Sequence, residues 1–190
     1  TIANINQPSV ITTSISATNV TCFGGSNGTS TVLVNGGIGP YTYTWAPGPG
    51  GGQGTNVITG LTSQTYSVVI TDALGCFTTT AINITQPAVL NAAVSSTNVS
   101  CNGFINGLAS ATANGGTGAY SYTWSPSGGN ASLTSGLAAG NYTIVVADAN
   151  NCQTTASVNI LEPSPVTASI TSSNITCNGA TNGSATVTAA

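Results

Sequence analysis

Apolar and polar residues alternate along this chain in short runs. "YTYTWAP" (41–47), "SVVITDA" (67–73) and "AINITQP" (81–87) carry the period of two that belongs to a half-buried strand. No stretch of ten or more residues carries the 3.6-residue period of a helix, so the chain is expected to be all-β. In residues 9–87 the pattern predicts strands near 9–17, 28–35, 40–46, 55–59, 65–71 and 76–85. Turn residues fill the breaks: "SNG", "NGGIGP", a Gly-rich stretch, "GLTSQ" and "DALG".

The pattern then recurs. Cys22 returns as Cys101, Trp45 as Trp124 and Gln7-Pro8 as Gln86-Pro87, each 79 positions on. A step of 76 links Cys101 to Cys177, Pro87 to Pro163, Asp72 to Asp148 and Cys76 to Cys152. The difference falls in one place, between Trp45 and Leu61 in one copy and Trp124 and Leu137 in the other. Length variation in a Gly/Pro-rich stretch between constant strands marks an exposed loop. The chain parses as the tail of one repeat (1–8), complete repeats at 9–87 and 88–163, and the start of another (164–190). It is therefore expected to be a window on a longer array. Six strands in a period of 76–79 residues suit tandem antiparallel β-sandwiches of immunoglobulin-like kind. A β-solenoid would need a much shorter period.

Composition narrows the function. There is no Lys, Arg or His, and the only acids are Asp72, Asp148 and Glu162. Charged residues make up 2% of the chain, against about a quarter in an ordinary soluble domain. Without cations the chain cannot neutralise phosphates, which excludes nucleic-acid binding, and it cannot form a basic membrane-surface helix. No apolar run approaches the roughly 20 residues of a membrane span. At 40% hydrophobic residues, with many Val, Ile and Thr, disorder is not expected either. No base stands ready for a Ser or Thr nucleophile, and Asp72 and Asp148 lie a repeat apart, so neither nucleophilic nor paired-carboxylate catalysis is expected. The protein is expected not to be an enzyme and to need no cofactor.

Five cysteines without metal-binding companions read as disulfides and an oxidising, extracellular setting. One scheme pairs Cys22–Cys76 and Cys101–Cys152 within repeats. The other pairs Cys76–Cys101 and Cys152–Cys177 between them. In six strictly alternating strands Cys22 and Cys76 fall at the same end of the sandwich, which favours the first and leaves Cys177 to pair outside the window. Such a bond would close a loop of about 55 residues and contribute roughly 4 kcal/mol in the chain-entropy model. Asp72 in "TDALGC" and Asp148 in "ADANNC" offer one carboxylate per repeat, too few for an ordinary calcium site. An Asp opening a tight turn is the simpler role. Eight Asn-x-Ser/Thr sequons, among them Asn19, Asn98 and Asn174, would matter only in a glycosylating host.

Tyr41, Tyr43 and Trp45, with Tyr120, Tyr122 and Trp124, present one face of their strands. They could form a sugar-stacking stripe. They are also the largest residues available to build each core, and that is the role expected of them.

"CNGFINGLASATANGGTGAYSYTWSPSGG" and "LTSGLAAGNYTIVVADANNCQTTASVNILEP" together resemble the SprB-type repeat of large Bacteroidetes surface proteins. The shared pattern is Cys-Asn-Gly, Asn-Gly, Gly-Gly-x-Gly-x-Tyr-x-Tyr-x-Trp, Gly-Leu-x-x-Gly-x-Tyr, Asp-x-x-Gly-Cys and a closing Gln/Glu-Pro. Phe23 after Cys22, Asn151 before Cys152 and "SQTY" for "AGNY" depart from it. The resemblance implies long filament-forming adhesins on the cell surface, including those of gliding motility, exported by type IX secretion. The expected function is a tandem-repeat stalk whose Pro-containing junctions ("TQPAV", "LEPSPV") stiffen the joints. Its expected partners are neighbouring repeats, identical filaments side by side, and a surface or glycan. A carbohydrate-binding module using the aromatics is the alternative.

Overall fold

The computed structural model describes residues 7–190 and folds them into fourteen strands, with no helix among the described residues. The first repeat supplies β1 (Thr12–Thr18), β2 (Gly28–Asn35), β3 (Thr42–Ala46), β4 (Val57–Leu61), β5 (Thr65–Thr71) and β6 (Phe77–Asn83). They form two three-stranded antiparallel sheets, β1-β2-β4 and β3-β5-β6. With β1 to β6 taken as strands A, B, C, E, F and G, this is the immunoglobulin-like order, ABE against CFG, without strand D.

The inner faces follow from the alternation. Val32, Ile58 and Leu61 come from one sheet, and Trp45, Tyr66, Val68 and Ile70 from the other. Val20 and Ile84, just past β1 and β6, close the same core. Each fully buried aliphatic side chain contributes about 1.5–3 kcal/mol relative to exposure. Tyr66 stands at the start of β5 with its hydroxyl oxygen accepting from Thr62 N–H (3.2 Å), the corner tyrosine of such sandwiches.

The second repeat has the same strand order: β7 (Ala88–Thr97), β8 (Gly107–Gly116), β9 (Ser121–Ser125), β10 (Leu133–Leu137), β11 (Gly140–Ala147) and β12 (Gln153–Ile160). Its sheets are β10-β8-β7 and β12-β11-β9. A hairpin of β13 (Ala168–Ser173) and β14 (Ser184–Ala189) follows, with Ile170 and Val187 exposed. Compactness gathers the chain into two units. One takes in residues up to Ala92 with Ala113–Ser121 and Val146–Thr154. The other holds Ala93–Thr112, Tyr122–Val145 and Thr155–Ala190.

Strand direction differs from the expected alternation. β2 runs towards the turn at 36–41, and β3 runs away from it. β4 also runs away from it, since Val57 pairs with Thr31 and Leu61 with Gly28. The Gly-rich loop between β3 and β4 makes the return, descending beside β4 with Gly51 bridged to Thr59. One uncounted pass therefore reverses every later strand relative to expectation. Cys22, beyond β1, lies at the end where β1 and β6 finish, with Val20 N–H bonded to the Thr85 carbonyl. Cys76 lies at the other end, roughly 20 Å away for a strand of this length.

Candidate functional site

The aromatic motif turns inward. Trp45 and Trp124 are buried, and each indole N–H donates to a loop carbonyl, Thr55 and Ala131, at 2.9 Å. Tyr41 and Tyr43 are half-buried and pack on the first core; Tyr120 and Tyr122 are half-buried likewise. The hydroxyls of Tyr41 and Tyr120 donate to the carbonyls of Gly36 and Gly115 (2.6 and 2.7 Å). These glycines cannot be replaced quietly. Both have positive φ, and a Cβ on either would overlap the carbonyl oxygen of Val10 or Val89. The Gly-Gly-x-Gly-x-Tyr pattern is thus a turn bolted shut by its own tyrosine.

The acids are turn-builders. Asp72 Oδ1 accepts from Leu74 and Cys76 N–H, both at 2.9 Å, and Oδ2 accepts from Ile38 N–H at 3.1 Å. Asp148 repeats the arrangement with Asn150 and Cys152 (2.9 Å each) and Thr117 (2.8 Å). The Ile38 amide leads in holding the Asp72 carboxyl below its ordinary pKa. For Asp148 burial pushes upward, but the Cys152, Thr117 and Asn150 amides outweigh it and the pKa is again lowered. Among the described residues no group of acids and cysteines is placed to hold a metal.

Each of these turns ends on a cysteine, and a second set of cysteines sits on tips built alike. Asn27 accepts from Thr21 N–H and donates to the Thr21 hydroxyl (3.0 and 2.7 Å). Asn106 does the same for Ser100, and Asn182 for Thr176. The next residue is Cys22, Cys101 or Cys177, with its carbonyl accepting from the residue three further on. The closing Gln/Glu-Pro also belongs to the tip: Gln86 accepts from Gly24 N–H (2.8 Å) and Glu162 from Gly103 N–H (2.9 Å). Asn19 and Asn98 tie down the last strand through Thr85 and Leu161 N–H (2.9 Å each). Sequence reasoning missed these roles. Their signal was the fixed spacing of the amides from each cysteine.

The disulfide departs from both expected schemes. Cys22 of the first repeat is bonded to Cys152 of the second, with Cα atoms 5.7 Å apart and 130 positions between them. Both lie in the first compact unit. Asn150 Nδ2 donates to the Thr21 carbonyl beside the bond (3.0 Å). Cys76, Cys101 and Cys177 are exposed free thiols. The pairs Cys22–Cys76 and Cys101–Cys152 fail because tip and turn occupy opposite ends of one sandwich. An aspartate turn meets a tip only across a repeat boundary.

The SprB repeat family model matches residues 14–50 and 93–129, from the first strand of each repeat to the loop after its third, in line with the expected resemblance. No curated protein matches the chain in sequence. A solved structure reported as the structural basis for Dscam isoform specificity is similar over 83% of this chain, at 14% identity and a TM-score of 0.37. This chain spans about half that one's length, 47%.

Proposed function

We propose that the protein is a tandem-repeat stalk of an extracellular cell-surface filament or adhesin, which serves surface attachment and, in a gliding cell, movement. The observation that carries the reading is the Cys22–Cys152 bond, a covalent staple from one repeat to the next. Tension entering at β1 crosses the sulfur atoms to β12 without unravelling the residues between. The SprB repeat matches support the cell-surface setting, as does the disulfide. The low charge lets such filaments lie side by side with little repulsion, and the absence of Lys and Arg removes every tryptic site.

Pulling single molecules from their termini tests it. Under oxidising conditions the segment from Cys22 to Cys152 should not extend. Reduction should release 130 further positions at about 3.3–3.6 Å each, roughly 430–470 Å of new contour length. Equal extension with and without reductant would remove the mechanical reading.

A further inference from the structure

We propose that Cys76 and its rim are the receiving half of a second repeat-to-repeat disulfide joint, whose occupant is the cysteine tip of another such repeat. The proposal rests on the stalk reading and deepens it. The Asp72 turn presents Cys76 through the same three amide bonds by which the Asp148 turn presents the already bonded Cys152. At the closed joint Phe23 of the tip shares a groove with Ala88, Val89, Leu90 and Gln153. Thr117, Asn150 and Gln153 stand in the places that Ile38, Leu74 and Phe77 take around Cys76. Leu74 is 64% exposed on the turn, and Phe77, 71% exposed, lines a groove of about 400 Å³ together with Cys76, Val10 and Ile11, the last two being the counterparts of Val89 and Leu90. A soluble protein seldom leaves such a patch bare unless something covers it.

The chain itself carries a tip of matching character. The Cys22 tip exposes one apolar residue, Phe23 (55%), followed by Gly25 and Ser26, whereas the Cys101 tip has Asn102 in the first place and exposes two, Phe104 (53%) and Ile105 (68%). The tip with one exposed apolar residue thus meets the rim of polar turn residues at the joint that is closed. The apolar tip and the apolar rim are the two halves left open. Tip and socket lie on different surfaces of the repeat, so the contact is head-to-tail and continues along an array. The bond needs an oxidant, and glutathione disulfide can serve. Cys76 sulfur attacks it and expels one glutathione. Cys101 sulfur then displaces the second, so two protein thiols become one disulfide and two glutathione thiols form.

The test uses two variants of the full chain as mutual probes. One keeps Cys76 and carries Cys101→Ser and Cys177→Ser; the other keeps Cys101 and carries Cys76→Ser and Cys177→Ser. Equal amounts are equilibrated in a glutathione buffer, and the dimers are separated without reductant and mapped by mass spectrometry. The Cys76–Cys101 dimer should exceed the two homodimers together several-fold. Adding Leu74→Ser and Phe77→Ser to the Cys76 chain should abolish that excess while leaving its reaction with a small thiol reagent unchanged. Random pairing, in which the mixed dimer merely equals the homodimers combined, would overturn the proposal, as would glutathione adducts alone. Either result leaves the stalk standing if the Cys22–Cys152 bond still limits extension under force.

Discussion

Trp45 and Trp124 stand at the same point in successive repeats, yet the loops after them satisfy their backbones differently. Beside Trp45 the side chain of Gln53 imitates a neighbouring strand, donating to the Trp45 carbonyl and accepting from its N–H, both at 3.2 Å. Beside Trp124 the Gly129 carbonyl accepts the N–H directly, at 3.1 Å. Elsewhere too the groups change and the bond stays. Gly75 precedes Cys76 where Asn151 precedes Cys152, and Gln86 closes one tip where Glu162 closes the next. What recurs from repeat to repeat is a set of hydrogen-bond positions around a buried indole, filled by whatever residue reaches them.

The strongest way to break the equivalence is to empty one core. Trp45→Ala should destabilise the first sandwich by about 3–5 kcal/mol, the range for deleting a buried aromatic. Trp124 remains as a fluorescent reporter of the second repeat, and its unfolding in urea should shift much less. Trp124→Ala should reverse the roles. A shift below about 1 kcal/mol in both would place the indoles on the surface and revive the sugar-stacking reading.

Next in size are the aspartate turns. Asp72→Ala or Asp148→Ala leaves three amides without their acceptor, so each should lower the melting temperature clearly. Asn in place of either Asp should recover only part of the loss. Both carboxyls sit below their ordinary pKa when folded, so their stabilisation is present above the unfolded value of about 3.9. It should be lost as pH falls below about 4, through the lowered folded values. Thermal melts at a series of pH values should show an acid decline in the native protein that Asp72→Asn with Asp148→Asn largely flattens. An unchanged profile would mean that the turns hold without their charge.

The all-β class, the period and the variable loop were legible because each leaves a residue pattern: alternation, a ruler of Cys and Trp, and an indel among glycines. The direction of the later strands was not. The pass that reverses them, at Gly50–Gly52, has no side chains and hence no alternation, although it pairs with β4 through Gly51. One invisible pass moved Cys76 to the far end and turned an intra-repeat disulfide into a joint between repeats. The tip-building amides were equally hidden. Asn19 and Asn98 register in a sequence as sequons, whereas their Oδ1 atoms are spent on backbone N–H groups that only the folded chain brings near.

A smaller effect should separate the two loops. Gln53→Ala removes both bonds to the Trp45 backbone and should cost about 1–2 kcal/mol, since each ordinary hydrogen bond contributes on the order of 1 kcal/mol. Gln53→Glu keeps the acceptor and loses the donor, so it should fall between. Urea unfolding at neutral pH measures both, and a neutral Gln53→Ala would mean that water replaces the side chain without loss.

The smallest effect lies in the residue before each turn cysteine. Asn151 has φ 61° and Gly75 has φ 84°, both in the left-handed region that costs most side chains about 1–2 kcal/mol. Asparagine bears that cost better than most, and glycine adds entropy to the unfolded chain that folding must remove. Asn151→Gly should therefore gain less than about 1 kcal/mol, and Gly75→Asn should lose a similar amount. A calorimetric melt of the two single variants and their combination checks the symmetry. If the repeats are equivalent at this position the combined variant returns to the native melting temperature. A loss on Asn151→Gly would instead show that the Asn151 side chain supports the turn that carries Cys152 to its partner.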